Sequence, residues 1–188
     1  MTSLLRSLAW QCVALVCLAE AVLAADWTPA VAVRHEQQLC VSYRATLNEA
    51  MLIIQVTHEP GWHTYAMDNV RRAREKLNGK KSLGIDGPTE IKLLEGLKID
   101  GPWFQSSPKD FSKPELRWFS WGFDGQSLFT VKVHRLDSSG ARILIRGQAC
   151  NESLCKNIDV EIPLPLPRQE IKAKLADVDL KDLIEVRE

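Results

Sequence analysis

From Gln37 to Leu47 the chain reads "QQLCVSYRATL", and from Ala50 to Pro60 it reads "AMLIIQVTHEP". Apolar and β-branched residues alternate with polar ones in both, which predicts two strands joined at the turn-like "NEA". In the first strand Leu39, Val41 and Tyr43 fall on one face, and Cys40 and Ser42 on the other. Pro60 and Gly61 then turn the chain into the aromatic stretch "PGWHTYAM". "PTEIKLLEG" and "GLKIDGPWF" are short extended segments around Gly96, and "SSPKDFSKPEL" is a loop with two prolines. The clearest alternation comes late, where "SLFTVKVHRL", the turn "DSSG" and "ARILIRGQA" predict a hairpin. "NIDVEIPLPLP" follows as the last strand, closed off by Pro163, Pro165 and Pro167. About seven to nine short strands separated by turn signals, with little helix, predict an all-β protein: an antiparallel β-sandwich of immunoglobulin-like appearance. The Cys…Trp…Cys spacing of antibody domains is absent.

Two segments depart from this period. "DNVRRAREKLNGKKSLG" is the only strongly basic run, and it predicts a short helix ended by Asn78-Gly79. It is read as a solvated surface element, with an acidic docking partner as the alternative. The tail beyond Pro167 has helical spacing at Ile171, Leu175 and Val178, compatible with a terminal helix or a mobile tail.

The N-terminus changes the picture of compartment. Arg6 precedes an apolar stretch from about Leu8 to Leu18, and the small-residue site Val22 to Ala24 follows. That is the layout of a secretory signal peptide cleaved near Ala24. Gln11 and Glu20 make the run too interrupted for a membrane span, and no later window is apolar enough for one. The expected organisation is a leader over 1–24, one sandwich domain over 25–167 and a tail over 168–188. The whole chain has 188 residues with 24 basic and 24 acidic side chains. That balance argues against a nucleic-acid binder or an acidic disordered tail.

Export makes the cysteines informative, because a disulfide persists outside the cytoplasm. Cys12 and Cys17 leave with the leader, and Cys40, Cys150 and Cys155 remain. Cys150 and Cys155 bracket "NESL" at what reads as the tip of a hairpin, and Cys40 is left over. Opposed residues of an antiparallel hairpin have Cα atoms about 4.5 to 5.5 Å apart, within the roughly 4.4 to 6.8 Å that a disulfide spans. The spacing admits a structural staple, a redox pair or half of a metal site. Closing so short a loop is worth roughly 2 kcal/mol at most, and less where a ladder already closes it, which weakens the staple. A zinc site wants four ligands, and His35, His58, His63 and His134 are not closely spaced with the pair or with one another. There is no G-x-S-x-G elbow and no Gly-rich phosphate loop.

"GQACNESLC", "PGWHTY" and "PTEIKLLEGLKIDG" together resemble one family, the N-terminal periplasmic domain of the thiol:disulfide interchange protein DsbD. The similarity spans roughly Val33 to Pro165. It implies an immunoglobulin-like sandwich whose two cysteines take electrons from a membrane-embedded and thioredoxin-like relay and pass them to exported proteins. By position it implies that Cys150 and Cys155 are the redox pair and that Cys155 forms the mixed disulfide. It also implies that Tyr65 packs beside the pair, and that "IDGPWFQSSP" is a cap loop laying Trp103 or Phe104 over the disulfide. No cofactor or metal beyond the two sulfurs is implied. There are departures. "KNI" follows the second cysteine where the family usually has prolines, and the basic run from Arg71 to Lys81 looks like an insertion. The chain carries neither a membrane domain nor a thioredoxin-like domain, so the expected partners are a separate electron donor and an exported, disulfide-bearing acceptor. Glu152 and Lys156 flank the pair with opposite effects on a thiol. The rival expectation is a non-catalytic β-sandwich module for binding or assembly, with the same disulfide as a permanent staple.

Overall fold

The computed structural model describes residues 27–80, 82–83, 87–136, 139–166 and 181–187. The expected leader, the end of the sandwich at Pro167 and the helical spacing of Ile171, Leu175 and Val178 lie outside those residues.

Two antiparallel sheets face each other across one core. The first runs β1 (Val31–His35), β2 (Gln38–Asn48), β3 (Met51–His58), β9 (Gln126–Arg135), β6 (Leu97–Ser106) and β12 (Leu183–Glu185) in that spatial order. The second runs β11 (Cys155–Pro165), β10 (Gly140–Cys150), β4 (His63–Tyr65), β8 (Trp121–Phe123) and β7 (Lys109–Asp110). β5 (Glu90–Glu95) lies beside β10, pairing with Arg142 to Arg146, while β4 takes the far end of the same strand at Ala149 and Cys150. The all-β sandwich expected from the alternation is what the chain forms.

The core comes from that alternation. Val41, Tyr43 and Ala45 of β2, Leu52, Ile54 and Val56 of β3, and Phe129, Val131 and Val133 of β9 meet Ile143, Ile145 and Ala149 of β10. Removing an Ile or Phe side chain from water stabilises by about 1.5–3 kcal/mol, so these contacts supply the main drive to close the sandwich. β11 is an edge strand, which is why it tolerates Pro163 and Pro165. Of the tail, only 181–187 is described, and there β12 pairs with Phe104 to Ser106 of β6.

Cys40 does not follow the expected alternation. Val33 pairs with Val41 and Arg34 with Leu39, so the ladder slips and Cys40 is the extra residue of a bulge. Cys40 and Val41 are therefore both fully buried, although they are adjacent. Cys40 is a free thiol buried in the core.

The basic run forms α1 (Asn69–Lys76). Asn78 (φ 50°) and Gly79 (φ 86°) end it in left-handed conformations, with Gly79 N–H donating to Arg74 O at 2.7 Å and Asn78 N–H to Glu75 O at 3.2 Å. Those are the two bonds of a Schellman cap. A buried polar knot fixes the helix start. Asp68 Oδ1 accepts from Arg72 Nε at 2.8 Å and from Gln105 Nε2 at 2.7 Å, while Asn69 Oδ1 accepts from the Trp121 N–H at 2.7 Å. The helix is thereby pinned to β6 and β8.

Candidate functional site

Along β10, Ile143, Ile145 and Ala149 point into the core, and Cys150 falls on the opposite face of the sheet. The β10–β11 ladder stays in register from Gly140 opposite Pro165 to Cys150 opposite Cys155. The two cysteines are bonded to each other, with Cα atoms 4.0 Å apart. The tip between them is held by Asn151. Its Oδ1 accepts from the N–H of Ser153 at 2.8 Å and of Leu154 at 2.9 Å, and its N–H donates to Leu154 O at 2.9 Å.

The two sulfur-bearing residues differ in access. Cys150 is 2% exposed, whereas Cys155 is an exposed residue. Both line one cavity of about 600 Å³. Its other wall is aromatic: Trp62, His63, Tyr65, Phe111 and Trp118. β4 brings His63 and Tyr65 to this face, because Cys150 pairs with His63 and Ala149 with Thr64. Thr64, one residue out of phase, points inward and meets His58.

β4 is only three residues long, and two contacts hold it in place. His58 Nδ1 lies 2.8 Å from Gly125 O, and its Nε2 lies 2.8 Å from Thr64 Oγ1. A carbonyl can only accept, so Nδ1 carries the proton and Nε2 accepts from the threonine hydroxyl. On the other edge β8 comes so close that a Cβ on Gly122 would lie 2.0 Å from Thr64 O. Only glycine allows that approach.

The segment from Phe111 to Ser120 carries Phe111 and Trp118 to the cavity. It is closed at its base by the Lys113–Trp118 bridge and contains a short turn of 3₁₀ helix at Pro114–Leu116. Phe111 stacks on His63, with ring centroids 4.7 Å apart and planes 20° apart. His63 in turn meets Tyr65 edge-on at 5.4 Å. Burial lowers the pKa of His63, Asp124 opposes that shift and Lys113 adds to it. His58 is lowered as well, chiefly by burial.

The chain is similar in structure to the N-terminal domain of DsbD from Neisseria meningitidis, in its reduced form. The TM-score is 0.45 and the identity 10%, over 65% of this chain and 82% of that one. No family model matches the chain, and no curated protein matches it. A likeness of that size leaves the function to be decided by the chain's own residues.

The structure joins Cys150 to Cys155 and puts Tyr65 in the wall of their cavity. It does not put Trp103 or Phe104 there. Both belong to β6 in the other sheet, paired with Val131 and Thr130 of β9. Trp103 instead lines a separate cavity of about 830 Å³ together with Pro102 and Arg71. "IDGPWFQSSP" is mostly continuous strand with a bulge between Ile99 and Trp103, so it cannot fold over the disulfide. The aromatic residues that do share the disulfide's cavity from a loop are Phe111 and Trp118. The signal for them was the loss of alternation around Pro108 and Pro114, flanked by aromatic residues. His63 and Asn151 had no such signal. Among the described residues no helix is long and apolar enough to cross a membrane.

Proposed function

We propose that the chain exchanges disulfides with partner proteins through Cys150 and Cys155. The observation that carries this is the unequal access of the two bonded residues within one aromatic cavity: Cys155 exposed, Cys150 2% exposed. Exchange requires a thiolate to reach one sulfur in line with the bond. Here a partner thiolate attacks Cys155 Sγ, the Cys150–Cys155 bond breaks, and its electron pair leaves on Cys150 Sγ. The product is a mixed disulfide on Cys155. A second partner thiol resolves it and leaves the protein a dithiol. In the opposite direction Cys150 attacks the mixed disulfide, re-forms the internal bond and releases the partner reduced. Phe111, on its loop, acts as the cover that a partner displaces, the role expected of Trp103 or Phe104.

A staple is disfavoured by position. The bond joins two residues already opposed at the end of an eleven-residue ladder, where it removes little chain entropy. Reducing power comes from a thiol-bearing electron donor and goes to an exported, disulfide-bearing acceptor. The leader over 1–24 fits an exported chain, in a compartment where such disulfides persist.

An equilibrium redox titration tests the function, with thiols trapped by alkylation and located by mass spectrometry. The expected result is that Cys150 and Cys155 titrate together between roughly −270 and −120 mV. A pair that stays bonded below about −300 mV would identify a structural disulfide in a binding module instead.

A further inference from the structure

We propose that His63 is the proton partner of Cys150, taking the thiol proton as Cys150 attacks a mixed disulfide on Cys155 and returning it when Cys150 is expelled. This rests on the disulfide exchange proposed above and adds a catalytic residue to it.

The geometry comes from the ladder. His63 and Cys150 are directly opposed on β4 and β10. Directly opposed residues project to the same face with Cβ atoms about 4.5–5.5 Å apart. Both line the cavity that holds Cys155. The imidazole is also positioned: Phe111 stacks on one face and Tyr65 meets it edge-on. Across its two ladders Cys150 is opposed by His63 and by Cys155, and while Cys155 is held in the mixed disulfide, His63 is the titratable one.

The chemistry needs such a group. Cys150 is buried, and burial in apolar surroundings disfavours a thiolate. A buried sulfur that must attack as an anion therefore benefits from a base that removes its proton during the attack. The groups facing His63 leave it suited to this. Lys113 from the covering loop lowers its pKa along with burial, and Asp124, at the end of β8, partly offsets them. Asp124 is itself paired with Lys109 of β7, Glu152 lines the cavity from the hairpin tip, and His58 lies behind β4 on β3. The net direction is downward from about 6.5, so near pH 7 the ring is neutral and able to accept. The step balances. Neutral His63 takes the proton of Cys150, Cys150 Sγ bonds to Cys155 Sγ, and the Cys155–partner bond breaks with its electron pair on the partner sulfur. That sulfur is protonated by the imidazolium or by solvent.

The test uses the reduced protein and an aromatic disulfide, 5,5′-dithiobis(2-nitrobenzoate), in stopped flow. The first thiolate released reports attack by the protein. The second reports resolution by Cys150, and mass spectrometry places the label and follows Cys40 separately. His63→Phe keeps a ring against Phe111 and removes the nitrogens, and His63→Gln provides a second variant should the first misfold. The expected result is a second phase slowed about tenfold or more at pH 7 in both variants, with the first phase little changed. In the variants the second phase should follow the thiol ionisation alone. In the unsubstituted protein it should stay faster until the pH falls below the lowered pKa of His63, which lies under the ordinary value of about 6.5. Equal rates and equal pH profiles in a folded variant would overturn the role of His63 and leave the exchange function standing. An unsubstituted protein that keeps the label on Cys155 without a second phase would overturn the exchange function itself, and this inference with it.

Discussion

His58 Nε2 lies 2.8 Å from Thr64 Oγ1, and that contact joins β3 of one sheet to β4 of the other, directly behind the disulfide. Burial lowers the pKa of His58, which fixes the sign of a pH effect. Below about 6.5 the unfolded chain takes up a proton that folded His58 resists, so the unfolded state binds more protons and stability decreases as the pH is lowered. The contribution is fully present above that value and is lost as pH drops toward the lower folded pKa. His63, lowered in the same direction, adds to the trend. Urea midpoints at pH 7.5 and 5.5 should show the protein less stable at the lower pH. His58→Gln should reduce the difference, and a variant with an unchanged difference would assign the effect elsewhere.

Gly122 leaves no room for a side chain, since a Cβ would lie 2.0 Å from Thr64 O. The obstacle is backbone, so Gly122→Ala must push β8 away from β4. Overpacking of this kind costs about 1–3 kcal/mol. β4 carries His63 and Tyr65, so exchange should slow beyond what the loss of stability explains. Thermal melts and thiol-exchange rates on the same sample check this. A variant with native stability and native rates would show that the strands separate without disturbing the site.

The hairpin of Cys150 and Cys155 was legible because two long alternating strands flank it, and such strands fix their register over many residues. The sandwich was legible for the same reason. What could not be read were consequences of pairing between distant segments. Local alternation puts Cys40 on the face opposite Val41, and only the slip against β1 turns it into the core beside Val41. His63 sits in a three-residue strand, too short for a period, and gains its meaning from Cys150 on a different strand. The alternation already read "GLKIDGPWF" as extended, and only the family resemblance put Trp103 and Phe104 in a cap loop across Gly101-Pro102. Pairing with β9 and β12 carries the strand through Gly101-Pro102 as a bulge. Phe111 is placed by a turn with no repeating pattern at all.

Asn151 organises the tip without touching the core. Its carboxamide oxygen accepts two backbone N–H groups, from Ser153 and Leu154. Asn151→Ala leaves those donors to water and should cost about 1 kcal/mol. The more telling effect is expected in the reduced protein, where the disulfide no longer holds the tip. The loss of stability should be larger there than in the oxidised protein, and by the thermodynamic cycle linking folding to oxidation the pair should become easier to oxidise. Unfolding midpoints of both redox forms measure it, and an equal loss in the two would mean that the turn and the disulfide do not act together.

In the proposed exchange, Phe111 is the cover that decides which thiols reach the pair. Its ring rests on His63 at 4.7 Å, and it is half-buried on a loop rather than locked into the core. An aromatic contact of this kind is worth about 1 kcal/mol, which as a cost of opening corresponds to roughly fivefold in rate. Phe111→Ala should therefore let a small reductant such as dithiothreitol open the disulfide about fivefold faster, with little change in melting temperature because the core is untouched. The analogous Trp103→Ala and Phe104→Ala variants, whose residues sit on the other sheet, should leave that rate unchanged while lowering stability. Pseudo-first-order reduction followed by alkylation separates the cases. Acceleration by a β6 variant, with none from Phe111→Ala, would place the cover elsewhere than on the loop from Phe111 to Ser120.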